Sequence, residues 1–311
     1  IFTKCSIKLY NWSGPPQMKT EGVMLDAQTE PPENLRFHIC FFPDRASLDE
    51  AIYEMGESEI AYIFTRTAVG AYINTFAPHL LQCIAKTKNL RGVLSKTVKW
   101  GCTIVMVGDT KEEIDFQEGV LKAIIAAYGG LSMEATQAAA IGPMMVMNFL
   151  RVSAIPMVFR AGGLFSTALA RNEAWKTQMD WADTGEEIKQ KWIDRDGIID
   201  DLADNPFMAL YENNCWGHCE EIFQYNARDP KHLASLEPLL VEFSVAAIEM
   251  CMEPLSVTDA RLREVVSPMM GRYNEWQKKI SLSLDAKRAA DTGMYCDEVD
   301  FDFSKVDPEI K

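Results

Sequence analysis

Among its 311 residues the sequence has only four histidines, no glycine-rich phosphate loop and no Cys-x-x-Cys pair. Without the loop there is no cradle of the kind that opens nucleotide-binding folds. Without the cysteine pair, half of the usual structural zinc site is missing. No apolar run approaches ~20 residues, so no helical membrane span is expected. No Lys/Arg cluster is strong enough to oppose the overall field: 31 Lys and Arg face 45 Asp and Glu, for a net charge of −14. Such a field repels phosphate backbones and anionic lipid, which removes nucleic acid and membrane surfaces from the expected partners.

What is present suits a globular protein with a sizeable core. Hydrophobic residues make up 48% and charged residues 24%, and the length suffices for two ordinary domains or one large one. Eight cysteines are scattered along the chain, several in apolar runs, as Cys40 is within Phe37 to Phe42. Reduced, buried thiols are used in this way, which points to a reducing cytoplasm. The chain opens at Ile1, already in the strand-like alternation of Ser6-Ile7-Lys8-Leu9. A strand needs a partner, so the sequence reads as a piece of something longer.

Residues 11–34 contain Gly14-Pro15-Pro16 and Pro31-Pro32 and read as a linker. Two units of similar design follow. In the first, Leu35 to Phe42 is a strand. Asp44 or Ser47 caps a helix with Leu48, Ala51, Ile52 and Met55 on one face, and Ile60 to Thr65 returns as a strand. In the second, Cys102 to Val107 is the strand and Thr110-Lys111-Glu112-Glu113 is a capping box. Ile114, Leu121, Ile124, Ile125 and Tyr128 form the helix stripe, and Gly129-Gly130 stops it. These units predict an α+β fold: a mostly antiparallel sheet of ferredoxin-like strand-helix-strand units, with helices covering one face.

Further helices are expected over 77–88 and 134–149, and two helical pieces over 172–195, the second opened by Thr184-Gly185-Glu186-Glu187. Phe207 to Tyr211 and Ile222 to Tyr225 form a strand pair. Ser235 caps a helix with Pro238 in its first turn. Met269, Tyr273, Trp276, Ile280 and Leu284 mark a last helix, and 296–311 is an acidic tail.

The densest cluster of chemical groups lies between Asn213 and Asn226. Cys215, His218 and Cys219 suggest zinc, but no second ligand pair with structural-zinc spacing accompanies them, so no metal is expected. On alternating geometry His218, Glu220, Ile222 and Gln224 share one face, and Cys219, Glu221, Phe223 and Tyr225 the other. Two readings stand: a half-buried strand with one wet face, and an active-site strand. His38, within an apolar strand, reads as a core histidine, while His79 and His232 read as helix-end residues. Arg160, in an apolar stretch, requires an anion or carbonyl partner: a structural ion pair or a substrate carboxylate.

The two ends of the chain carry a family resemblance. Ile1-Phe2-Thr3-Lys4 with Ile7-Lys8-Leu9-Tyr10 resembles the segment that leaves the FAD-binding domain in FAD-linked oxidases of the vanillyl-alcohol oxidase type. That family includes D-lactate dehydrogenases and the glycolate oxidase flavoprotein subunit. Trp276 to Ile280 and Leu284-Asp285-Ala286-Lys287-Arg288 resemble its closing helix and turn, with Ala286 in place of the usual proline. The resemblance implies a bilobal enzyme of which this chain is the C-terminal, substrate-side or cap portion: 1–34 leaving the FAD-binding domain, 35–295 forming the cap, 296–311 trailing it. FAD would be held mainly by a domain or subunit outside this chain, with Arg288 as a cofactor contact. The reaction implied is hydride transfer from an alcohol, hydroxy acid or phenol to the flavin.

Hydroxy-acid members carry a H-x-G-D-G-N-x-H motif. Here Gly217-His218 matches its start, Cys219-Glu220-Glu221 departs from it, and Tyr225 stands where the second histidine would fall. A metal-free site is implied, with His218, Tyr225 and Glu221 as catalytic candidates and Arg160, Trp216 and Asn226 as substrate contacts. His218 is favoured as base because histidine ordinarily titrates near neutrality. The alternative is a non-catalytic ferredoxin-like interaction module or subunit of a larger complex, and either leaves room for a homo-oligomer.

Overall fold

A computed structural model describes residues 35–67, 99–134, 164–171, 174–204, 206–211, 214, 216–254, 267–271 and 273–285. The elements, in chain order, are β1 (Leu35–Phe41), α1 (Arg45–Glu57), β2 (Ile63–Thr67), β3 (Gly101–Val107), α2 (Lys111–Ala127), β4 (Leu131–Glu134), β5 (Leu164–Arg171), α3 (Trp175–Asp194), β6 (Pro206–Tyr211), β7 (Trp216–Tyr225), α4 (Pro230–Glu249), β8 (Glu253–Pro254), a 3-10 turn (Ser267–Met270) and α5 (Tyr273–Leu284).

The eight strands form one sheet in the order β4-β1-β3-β2-β6-β7-β5-β8, antiparallel at every pairing. The order resolves into two copies of one motif. β1-α1-β2-β3-α2-β4 and β5-α3-β6-β7-α4-β8 each place their strands fourth-first-third-second, the ferredoxin-like arrangement. The copies meet where β2 pairs with β6, Phe64 opposite Leu210 and Arg66 opposite Met208. The α+β, mostly antiparallel expectation is borne out.

Local chemistry explains the first copy. The Asp44 side chain accepts from the Ser47 amide at 2.8 Å, so Asp44 rather than Ser47 is the N-cap of α1. The Thr110 hydroxyl accepts from Glu113 N, and the Glu113 carboxylate accepts from Asp109 N at 2.7 Å, one residue before the expected partner. Gly129, at φ +68°, lets the chain turn out of α2, and Gly130 N donates to Ile125 O. The expected stripes of α1 and α2 are buried at Leu48, Ala51, Ile52, Met55, Ile114, Leu121, Ile124 and Ile125.

The second copy departs from expectation. Residues 175–194 form one helix, not two. Thr184 spends its hydroxyl on Asp180 O at 3.0 Å instead of capping a new helix. Gly185 sits mid-helix because Glu221 packs against it: an added Cβ would lie 2.6 Å from Glu221 Cγ. α4 begins at Pro230, capped by Asp229, so Ser235 is internal and buried, and Pro238 lies inside the helix on an exposed side beside exposed Ala234. Proline there removes the donor to the Ala234 carbonyl, four residues back. β7 starts six residues earlier than expected, and β5 was not anticipated. The last helix is split into the 3-10 turn and α5. The helices expected over 77–88 and 134–149 lie outside the described residues, save Glu134, which ends β4. No helix among the described residues is long and apolar enough to cross a membrane.

α1 to α4 pack on one face of the sheet, where Cys40, Phe64, Cys102, Ile104, Met106, Met208, Leu210, Cys219 and Phe223 are buried against them. Phe223 stacks on Phe243 of α4, and Phe64 meets Trp175 of α3 edge-on. The opposite face has a different lining: Phe37, Ile39, Thr65, Thr103, Val105, Ala209 and Gln224, all buried, and the partly exposed His218 and Glu220.

Candidate functional site

β7 is the strand on which the two faces can be compared residue by residue. Its register is unbroken on both sides, Cys219 opposite Met208 and Ala170, Glu221 opposite Pro206 and Ala168. With no bulge, alternation holds throughout. His218 and Glu220 point away from the helices, while Glu221 and Tyr225 point toward them, as the alternation predicts. The three candidate catalytic residues therefore do not converge: His218 stands apart from the other two, on the face opposite α1 to α4.

On that face His218 Nε2 lies 3.0 Å from Glu220 Oε2, and the imidazole meets the Phe207 ring edge-on at 5.5 Å between centroids. The two side chains are 33% and 18% exposed, sheltered but reachable. A carboxylate at Nε2 favours the tautomer in which Nε2–H donates to Glu220, leaving the Nδ1 lone pair as an acceptor. Glu220 and Phe207 were not singled out from the sequence. The His-x-Glu spacing was the available signal for Glu220, since residues two apart on a strand share a face.

Behind the strand, Glu221 is fully buried and neither carboxylate oxygen has a hydrogen-bond partner. Burial pushes its pKa well above the carboxylate range, against the opposing pull of Lys189 and Arg66. Both cations already have acids: Lys189 Nζ donates to Asp201 Oδ2 at 2.6 Å and to Ile222 O at 2.7 Å, and Arg66 donates to Asp204 Oδ1 at 3.1 Å. A neutral Glu221 leaves this cluster balanced. Tyr225 is half-buried opposite Leu164.

Asn226 is exposed and its Oδ1 accepts from Arg228 N, an Asx turn leading into α4. Trp216 pairs with Tyr211 at the start of β7, two residues from His218. Arg160 and Arg288 lie outside the described residues. His38 is a buried core residue, 3.5 Å from Glu118 Oε1, and burial lowers its pKa to about 4. Buried His232 accepts from Asn226 N at Nδ1. No group of three or more potential metal ligands occurs among the described residues. A groove of about 550 Å³ lies on the helix side, lined by Arg45, Lys99, Trp100 and Asp183. Its cations are already paired, Arg45 with Asp180 and Asp183, Lys99 with Glu186, so it offers no free charge from either.

No family model and no curated protein matches this chain in sequence. Solved structures do. The structure of p-cresol methylhydroxylase with substrate bound superposes with a TM-score of 0.65 at 11% identity, over 86% of this chain and 54% of its own. That of 4-ethylphenol oxidase from Gulosibacter chungangensis, in complex with isoeugenol, gives 0.63 at 14% identity, over 87% of this chain and 55% of its own. The chain thus spans about half the length of these structures and shares the fold of that half. The resemblance to oxidases of the vanillyl-alcohol oxidase type is borne out as a matter of fold.

Proposed function

We propose that this chain is the substrate-side half of an FAD-dependent oxidoreductase that passes hydride from an alcohol, hydroxy acid or phenol to the flavin. One observation carries the reading. In a fold shared with an oxidase and a hydroxylase, the sheet face opposite α1 to α4 presents a sheltered His–Glu pair beside an aromatic ring. Among the three substrate classes, phenols are favoured, because p-cresol and 4-ethylphenol appear in the names of the structural neighbours.

That setting suits a flat, uncharged ring: half-buried Phe207 lies edge-on to His218, on the side of the sheet away from α1 to α4. It does not suit pyrophosphate, which calls for a helix N-terminus or a glycine-rich loop. FAD is therefore assigned mainly to a domain or subunit beyond 35–295, with Arg288 as the contribution of this chain. Bound there, the flavin supplies the hydride acceptor. His218 supplies the base: Nδ1 takes the substrate hydroxyl proton while Glu220 holds Nε2–H and steadies the imidazolium. Glu221 and Tyr225, behind the strand, support β7 rather than touch substrate. Trp216 and Arg160 remain the proposed substrate contacts, whereas Asn226 serves as a turn former.

The test uses the full-length protein. His218→Ala should slow flavin bleaching by 4-ethylphenol by ~10²-fold or more with the fold intact. An unchanged reductive half-reaction would return His218 to a structural role. Failure of hydroxy acids, alcohols and phenols alike to bleach a flavin would favour the interaction-module reading. The 311-residue chain alone should emerge colourless from gel filtration with added FAD, and stoichiometric yellow flavin would contradict the assignment of the cofactor elsewhere.

A further inference from the structure

One row of the helix-side face runs straight across the sheet: Ser132, Cys40, Cys102, Arg66, Met208, Cys219 and Ala170, each opposite the next. It holds two sulfur pairs. Cys40 and Cys102 are directly opposed on β1 and β3, both fully buried, with their thiols in hydrogen-bond contact. Cys219 and Met208 are opposed on β7 and β6, with Sγ and Sδ 3.0 Å apart. Only the first pair has two S–H groups.

Directly opposed residues of an antiparallel ladder have Cα atoms about 4.5 or 5.5 Å apart. Both spacings fall inside the window of about 4.4–6.8 Å that a disulfide spans without backbone movement. Side chains at opposed positions also leave the sheet on the same face, so the two Cβ vectors run together. Nothing in the proposed function uses these residues.

We propose that Cys40 and Cys102 are a latent cross-strand disulfide, closed by a hydroperoxide and locking β1 to β3. In the first step one sulfur attacks the peroxide, an S–O bond forms, the O–O bond breaks and the alcohol leaves. In the second, the other thiol displaces water from the sulfenic acid and the S–S bond forms. Overall, two thiols and one hydroperoxide give one disulfide, one alcohol and one water. The two sulfurs lose two electrons between them and the peroxide gains both.

Burial and the neighbouring Cys40 thiol push the Cys102 pKa well up, so the closed core is inert and reaction runs through local opening. β4, which covers the far side of β1, has four residues and is the outermost strand among the described residues, so opening is cheapest there. The product is a lock on an opening already sampled, and closing it stabilises the first copy of the motif without touching the second.

The whole chain is treated with tert-butyl hydroperoxide under native conditions, its remaining thiols are alkylated, and it is digested without reduction for mass spectrometry. A single linked species joining the Cys40 and Cys102 peptides, two hydrogens lighter than their sum, is expected. The oxidised protein should need more denaturant to unfold, and dithiothreitol should reverse the gain. Cys40→Ser and Cys102→Ser should each abolish the link and the gain together. Should either serine variant fail to fold, the wild-type mass map and its dithiothreitol-reversible midpoint still decide. Links scattered over other cysteines, overoxidation of Cys40 or Cys102 without a link, or a linked product no more stable than the reduced protein would overturn the proposal.

Discussion

The two halves of the sheet have the same strand order and share one apolar core, but they bury different polar groups. In the first, α1 and α2 close over Cys40, Phe64, Cys102 and Ile104, and the buried polar groups His38 and Arg36 sit toward Glu118 and Asp115 of α2. In the second, Lys189, Asp201, Glu221 and Gln178 are buried beneath the strands beside Asp204, which reaches across to Arg66 of the first. The same topology thus carries its buried charges differently: against α2 in the first half, and beneath the strands, as Lys189 with Asp201, in the second. Burial of ions is tolerated where each finds its partner. Lys189 does so twice, donating to Asp201 and to the Ile222 carbonyl.

The sharpest way to break this comparison is Lys189→Met. It removes the cation that balances buried Asp201 and a donor from Ile222 O, and is expected to cost about 3–5 kcal/mol in denaturant unfolding. The double variant Lys189→Met with Asp201→Leu should recover much of that loss, since no lone charge remains. A single variant costing no more than an exposed ion pair would show that the second interior is wet.

The next largest effect is a difference in pH response. Folding lowers the His38 pKa from 6.5 to about 4. The first half therefore holds its full stability above pH 6.5 and loses it as pH falls toward 4, by about 3 kcal/mol. Folding raises the Glu221 pKa. The second half therefore holds its full stability below about pH 4.5 and loses it as pH rises. His38→Gln should flatten the acid limb of stability against pH and Glu221→Gln the alkaline limb. Finding either limb unaffected by its own substitution would remove that residue as the cause.

The same contrast decided what could be read in advance. The first half was legible because its caps and stripes agree: Thr110-Lys111-Glu112-Glu113 before an Ile and Leu stripe, then Gly129-Gly130. In the second half several cues misled, some through a tertiary contact and some through local bonding. Gly185 resembled a break but is the gap that Glu221 fills. Thr184 resembled a cap but bonds back into its own helix. Pro238 resembled a first-turn proline, while the true start was Asp229-Pro230, a cap followed by proline at the first position. Glu221, an acid on the buried face of β7, disguised the apolar alternation of Cys219 and Phe223. For the site, alternation alone separated His218 from Glu221 and Tyr225. Phe207 could not be found in this way, because its place beside His218 depends on the pairing of β6 with β7.

The smallest effect compares one substitution in the two halves. Gly119 and Gly185 both lie inside helices, α2 and α3. A Cβ at Gly119 would meet nothing within 4 Å, whereas one at Gly185 would lie 2.6 Å from Glu221 Cγ. Alanine removes the backbone freedom that glycine loses on folding, so Gly119→Ala should stabilise by about 0.5–1 kcal/mol. Gly185→Ala gains the same propensity but must push back a side chain sealed between helix and strand, so the net should be a loss of about 1–3 kcal/mol. Truncating the obstacle separates the two terms. With Glu221→Ala as the background, Gly185→Ala should change sign and stabilise, as at Gly119. Chemical denaturation of the four single and double variants measures this directly. If Gly185→Ala stabilises with Glu221 in place, the carboxyl has room to move, and the tight packing assigned to the second half is wrong at its centre.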